Sequence, residues 1–144
     1  MTDVFLLAVD GSAPAGRAVE CAKLRARAGK ARLVVAYVIE WSPYTFNTPE
    51  ENEERHKRRE EEIARARSQI LDPLVAALEG EGLEVEGVVR HGNVAEVLSD
   101  LAVDKGACQI FIGRRGQSTV KAMLFGSVAG TLVQVSPVPV TVVP

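Results

Sequence analysis

Short, nearly uninterrupted apolar runs fenced by polar or glycine-rich sequence constrain this chain most. Val4-Phe5-Leu6-Leu7-Ala8-Val9 and Leu33-Val34-Val35-Ala36-Tyr37-Val38-Ile39 are the first two, and Gln109 to Ile112 and Pro137 to Val143 are the later ones. Runs of this length without alternation read as strands covered on both faces, the habit of a parallel sheet. A further segment, Leu83 to Val89, alternates in its first half, as an edge strand does. Pro139 cannot donate to a ladder, so the last strand also belongs at an edge. Helix-period stretches lie between the strands. Strands alternating with helices predict a doubly wound α/β three-layer sandwich on a five-stranded parallel sheet. Right-handed crossovers leave few topologies, among them the order 3-2-1-4-5. A chain of 144 residues suits one domain, 1–144.

The helices have readable ends and faces. Ser12 can cap the first, with Pro14 in its first turn, Ala18, Cys21, Ala22 and Leu24 inward, and Gly29 as the stop. Trp41 to Pro49 is a loop that either covers a ligand or serves as a crossover. Glu50 to Glu79 is a long charged helix with Ile63, Ile70, Leu71, Leu74 and Leu78 inward, and Pro73 marks a bend or a break. Its mixed-sign charges read as a solvated face. Arg90-His91-Gly92-Asn93 reads as a turn, with Asn93 capping a helix whose inner face is Val94, Val97, Leu98, Leu101 and Ala102. Gly126-Ser127 opens the last helix.

Composition narrows the function classes. A net charge of −2 argues against a general nucleic-acid binder. Met1-Thr2-Asp3-Val4 has no basic region of the secretory kind, and no apolar run approaches the roughly 20 residues that span a bilayer. Cys21 and Cys108 show no metal-ligand spacing and read as small buried hydrophobes, in keeping with a reduced, cytoplasmic setting. His56 reads as a solvated residue of the charged helix, and His91 as a turn histidine bonding the backbone, with reach into the crevice as the alternative.

Gly113-Arg114-Arg115-Gly116, nine further residues and then Gly126-Ser127 carry the chemistry. Glycines let another molecule approach the backbone. A helix N-terminus offers N–H groups to an anion, and guanidinium forks match phosphate oxygens. The loop therefore reads as a phosphate cradle, with at most one of Arg114 and Arg115 on phosphate; the plain alternative is a βα turn. It lacks the Gly-Lys-Ser/Thr of a Walker loop and the dinucleotide fingerprint. In a 3-2-1-4-5 sheet the switch point falls between strands one and four, which brings Asp10-Gly11-Ser12 beside Gly113-Arg114-Arg115-Gly116. Asp10 then either meets a ligand or helps cap the first helix. No general base is poised for water, and no paired acids mark a strong magnesium site.

Val9-Asp10-Gly11-Ser12, the Val89-Arg90-His91-Gly92 segment, Gly113-x2-Gly116-x9-Gly126-Ser127 and the Pro139-Val140 ending together resemble the nucleotide-binding branch of the universal stress protein family. That resemblance spans nearly the whole chain. It implies an adenine nucleotide alpha hydrolase-like fold with strand order 3-2-1-4-5. It implies a homodimer joined through the last strand, residues 137–143. It also implies ATP or another adenine nucleotide as ligand, with any Mg²⁺ held by the phosphates. Asp10, with Gly11 and Ser12 behind it, would meet the adenine-ribose end, and Val38 would offer backbone groups to the adenine edge. Gly113 and Gly116 would line the ribose and triphosphate. Gly126, Ser127 and Val128 would give N–H groups, and Ser127 its hydroxyl, to phosphate oxygens. Cys108, Asn93, and Gly130 with Thr131 depart from the family pattern. The function implied is a nucleotide-dependent regulatory or stress-response module. The alternatives are a slow ATPase and an interaction module without nucleotide.

Overall fold

Parallel strands β1 (Val4–Val9), β2 (Arg32–Glu40), β3 (Val85–Gly92), β4 (Gln109–Gly113) and β5 (Val140–Val143) form one sheet in the order β3-β2-β1-β4-β5. This is the predicted topology. The computed structural model describes residues 2–11, 15–40, 48–114 and 122–144, and for residue 15 and residues 122–127 the backbone alone.

Helices α1 (Ala15–Gly29), α2 (Pro49–Ala66) and α3 (Asp72–Gly80) cover one face of the sheet, and α4 (Val94–Asp104) and α5 (Ala122–Val135) cover the other. Because strand side chains alternate, odd positions such as Phe5, Leu7, Leu33, Val35 and Phe111 feed the first core. Even positions such as Leu6, Val34, Ile110 and Ile112 feed the second. Phe5 and Phe111 tilt against each other across the β1–β4 pair, with centroids 5.4 Å apart. Each fully buried Leu, Ile or Phe here contributes about 1.5–3 kcal/mol.

The smallest residues set the closest packing. Ala18, Ala22 and Ala26, all with no exposed surface, form an i,i+4 stripe that lays α1 on the sheet. Leu24 lies about 200° around the helix from Ala22. It is therefore 59% exposed rather than inward, while Cys21 flanks the stripe half-buried. Cys108, expected buried, is exposed just ahead of β4.

Three helices close with the same device. At the ends of α1, α3 and α4 a residue of positive φ (Lys30, Gly82, Gly106) donates back three residues, and its successor donates back five. On α1 the role expected of Gly29 falls to Lys30, at φ 53°, and Gly29 stays helical.

The long charged segment is two helices. Thr48 and Glu51 form a reciprocal capping box at the start of α2. At Arg67–Leu71 the helix widens into one π turn, where the Asp72 N–H reaches back to the Arg67 carbonyl. Pro73 stands immediately after and has no N–H to give, so the wider turn absorbs the mismatch before α3. The predicted inward stripe holds: Leu71 and Leu78 are buried, and Ile63, Ile70 and Leu74 pack on the same core. On the edge strand, Gly87 makes room for this joint, since a Cβ there would stand 3.2 Å from Val75 Cγ2.

Two strand ends differ from the sequence reading. Arg90-His91-Gly92 is not a turn. It continues β3, paired Val38↔Arg90, Ile39↔His91 and Glu40↔Gly92, because ladder bonds to β2 outweigh local turn preference. Asn93 does cap α4, its Oδ1 accepting the Glu96 N–H at 3.1 Å. β5 begins only at Val140, since Pro137 and Pro139 carry no N–H for the ladder; the Pro139 carbonyl still accepts from Ile110.

Candidate functional site

The carboxyl ends of the strands define one rim. From the centre of the sheet, β1 leads to β2 and β3 on one side, and β4 leads to β5 on the other. That reversal opens a crevice between the ends of β1 and β4, where open α/β sheets bind ligands. Leu7 is level with Phe111, and continuing the register sets Val9 level with Gly113. Asp10 and Gly11 thus face Gly113 and Arg114 across the reversal, as the order predicted.

Asp10 is half-buried at the end of β1, and Gly11 follows at φ 78°, a backbone that favours glycine. Gly113 is buried as the last residue of β4. The exposed Arg114 is anchored by its main chain, the N–H donating to the Val143 carbonyl at 2.7 Å, while its side chain faces solvent. Val38, half-buried, packs toward the α4 face, level with Arg90 on the next strand. Val128 packs within the core of that face. Ser12, Arg115 and Gly116 lie outside the described residues, as does most of the loop from Trp41 to Pro49.

The start of the last helix is a correction. α5 begins at Ala122, so Gly126-Ser127 sits in its second turn rather than at its tip. Ala122, Met123 and Leu124 are strong helix formers, and one glycine behind them costs only about 1 kcal/mol. The N–H groups without a helical acceptor are then those of the first turn. Those of Gly126, Ser127 and Val128 fall within reach of the helix's own carbonyls.

A second group of polar side chains at the same rim escaped the sequence reading. Tyr37 stands level with Val9, beside Asp10, on the face that α2 covers. Burial, and then the negative charges of Asp10 and Glu62, push its phenol above the ordinary value, so it stays a donor. His91 points to the same face and reaches not the backbone but Glu62 of α2, with Nε2 3.5 Å from Oε2. That distance is long for a hydrogen bond, and among the described residues the buried Nε2 has no other partner. The signal was present in the strand period: Tyr37, Ile39 and His91 share parity once β2 and β3 pair in register.

Against known proteins, the model of the universal stress protein family matches residues 1–144. A universal stress protein of Thermus aquaticus is 34% identical over 143 residues, covering 99% of both chains. Among solved structures, a universal stress protein from Lactobacillus plantarum superposes with a TM-score of 0.82 at 22% identity, covering 99% of this chain and 97% of the other. One from Archaeoglobus fulgidus, solved in complex with dAMP, gives 0.64 at 20% identity over 100% and 98% of the two chains. Another, in complex with cAMP, gives 0.69 at 21% identity over 99% and 97%. A family match over the full length, carried by a fold with the same strand order, establishes that this chain belongs to the universal stress protein family.

Proposed function

We propose that this protein binds an adenine nucleotide, ATP foremost, in the crevice beyond β1 and β4, and that occupancy makes it a nucleotide-dependent regulatory module. The observation that carries the reading is the adjacency of the two motif-bearing strand ends, Asp10-Gly11 and Gly113-Arg114, at the reversal of strand order. A half-buried carboxylate suits ribose hydroxyls, which donate. The cAMP and dAMP complexes of related folds lend support to adenine nucleotides as the class.

In this reading Asp10, Gly11 and Ser12 hold the nucleoside end, and the Val38 main chain meets the adenine edge. Gly113 and Gly116 leave room for ribose and phosphates, with Arg114 or Arg115 neutralising charge and any Mg²⁺ held by the phosphates. Phosphate contact with the N–H groups of Gly126, Ser127 and Val128 requires the first turn of α5, residues 122–125, to open. Two copies pair through β5, whose outer edge carries free backbone groups. The free thiols of Cys21 and Cys108 fit a reducing cytoplasm.

Calorimetric titration with ATP, AMP and cAMP tests the reading. The intact protein is expected to bind with about micromolar affinity, and Gly116→Val to lose binding at an unchanged circular dichroism spectrum. Unchanged affinity in that variant refutes the cradle.

A further inference from the structure

A second cavity, of about 170 Å³, opens on the far side of β2 from Val38, between that strand and the joint of α2 with the π turn. Half-buried Tyr37, Ile39 and Ile70 line it together with the exposed Glu62, Arg65 and Gln69. Gln69 and Ile70 belong to the π turn, a helical irregularity that recurs at functional sites. The volume is well below that of a nucleotide pocket. It is close to the cavity of about 150 Å³ that accepts benzene in an engineered protein. The body that fits is a branched aliphatic chain, with its polar end left at the mouth.

The charges select that end. Among the described residues the Arg65 side chain has no ion pair and no hydrogen bond. Glu62 stands one turn away on the same helix face but leans toward His91, 3.5 Å off, and so leaves Arg65 open. A simple anion would gain Arg65 and meet the field of Glu62, with Asp10 behind Tyr37. A simple cation would gain Glu62 and meet Arg65. A molecule carrying both charges on adjacent atoms satisfies both.

We propose that this cavity binds an aliphatic α-amino acid, the carboxylate on Arg65, the ammonium group on Glu62 and the side chain on Ile39 and Ile70. Gln69, four residues on from Arg65, adds a neutral donor at the carboxylate end, while Tyr37 stands near Glu62 at the ammonium end. The site borders the crevice at Tyr37 and Asp10 but uses none of the residues assigned to the nucleotide, and Val38 lies on the opposite face of β2.

The test is a titration of L-leucine into the isotope-labelled full chain, followed by amide and side-chain resonances. Shifts are expected at Tyr37, Ile39, Gln69, Ile70 and the His91 ring, saturating with a Kd of about 1 mM. Isovalerate, the anion alone, and isoamylamine, the cation alone, are expected to bind at least about tenfold more weakly. Arg65→Gln, a change on an exposed helix face that leaves the fold intact, is expected to weaken leucine by about the same factor. No shifts with leucine, equal binding of isovalerate, or an unaffected Arg65→Gln would each overturn the proposal. ATP added at saturation is a control, and its failure to bind leaves the leucine result readable.

Discussion

Replacing Gly92 with alanine probes the join between the edge strand and α4. Gly92 ends β3 at φ 145°, outside the range that L side chains adopt. Forcing alanine there costs about 1–3 kcal/mol in backbone strain. A Cβ would also stand 2.8 Å from Val97 Cγ2, in the first turn of α4, and overpacking of that kind costs about 1–3 kcal/mol more. The lower entropy of the unfolded chain returns about 0.4–1 kcal/mol. The net expectation is a loss of about 1–6 kcal/mol, against a total stability of about 5–15 kcal/mol for a domain. In urea unfolding, with a slope of about 1–3 kcal/mol per molar, the midpoint should fall by at least about 0.3 M. The two costs separate in a double-mutant cycle, because Val97→Ala removes the clash but not the strain. Gly92→Ala in a Val97→Ala background should therefore cost visibly less than in the wild type, yet not zero. A single-variant loss under about 1 kcal/mol, or no coupling between the sites, would refute this account of why glycine ends the strand.

The remaining predictions concern charge and assembly. Glu86 on β3 accepts from Lys105 Nζ at 2.6 and 3.0 Å and faces Arg32 at 3.4 Å, and the Lys105 bond chiefly holds its carboxyl below the ordinary value. A carboxyl depressed in the folded state adds stability above the unfolded value of about 4.3, and that part is lost as pH falls through the folded value. Wild-type stability should thus drop as pH falls from about 5, with a shallower slope in Glu86→Gln; parallel curves would dismiss the linkage. In β5 the carbonyls of Pro139 and Val143 accept from Ile110 and Arg114 of the neighbouring strand, and alternation leaves the N–H and C=O of Val140 and Val142 on the outer edge. Val142→Pro removes one outward donor without touching the β4 ladder. Light scattering should show the dimer mass halved, and an unchanged mass would end the edge-pairing proposal.

The apolar runs, the 3.6-residue periods and the glycine stops carried the element order, both edge strands and nearly every inward helix residue, because burial on two faces leaves a local pattern. The crevice was legible through its order alone: Asp10 and Gly113 follow from which strands end where. Other features depended on partners distant in sequence. Arg90-His91-Gly92 has turn-like composition, but eight residue pairs join β3 to β2 and hold it extended through Gly92. Leu24, about 200° around α1 from Ala22, falls on the face away from the sheet, and only the packing of α1 shows that the Ala18, Ala22 and Ala26 stripe is the inward one. The length of α5 upstream of Gly126 reflects helix formers that outweigh one glycine. The Tyr37, Glu62 and His91 group, and the cavity beside it, come from three elements whose meeting no local pattern announces. Periodicity says which face of a segment is buried. What it is buried against, and which polar tips then converge, depends on register, crossover and the wide turn before Pro73, and those are set only when the whole sheet is assembled.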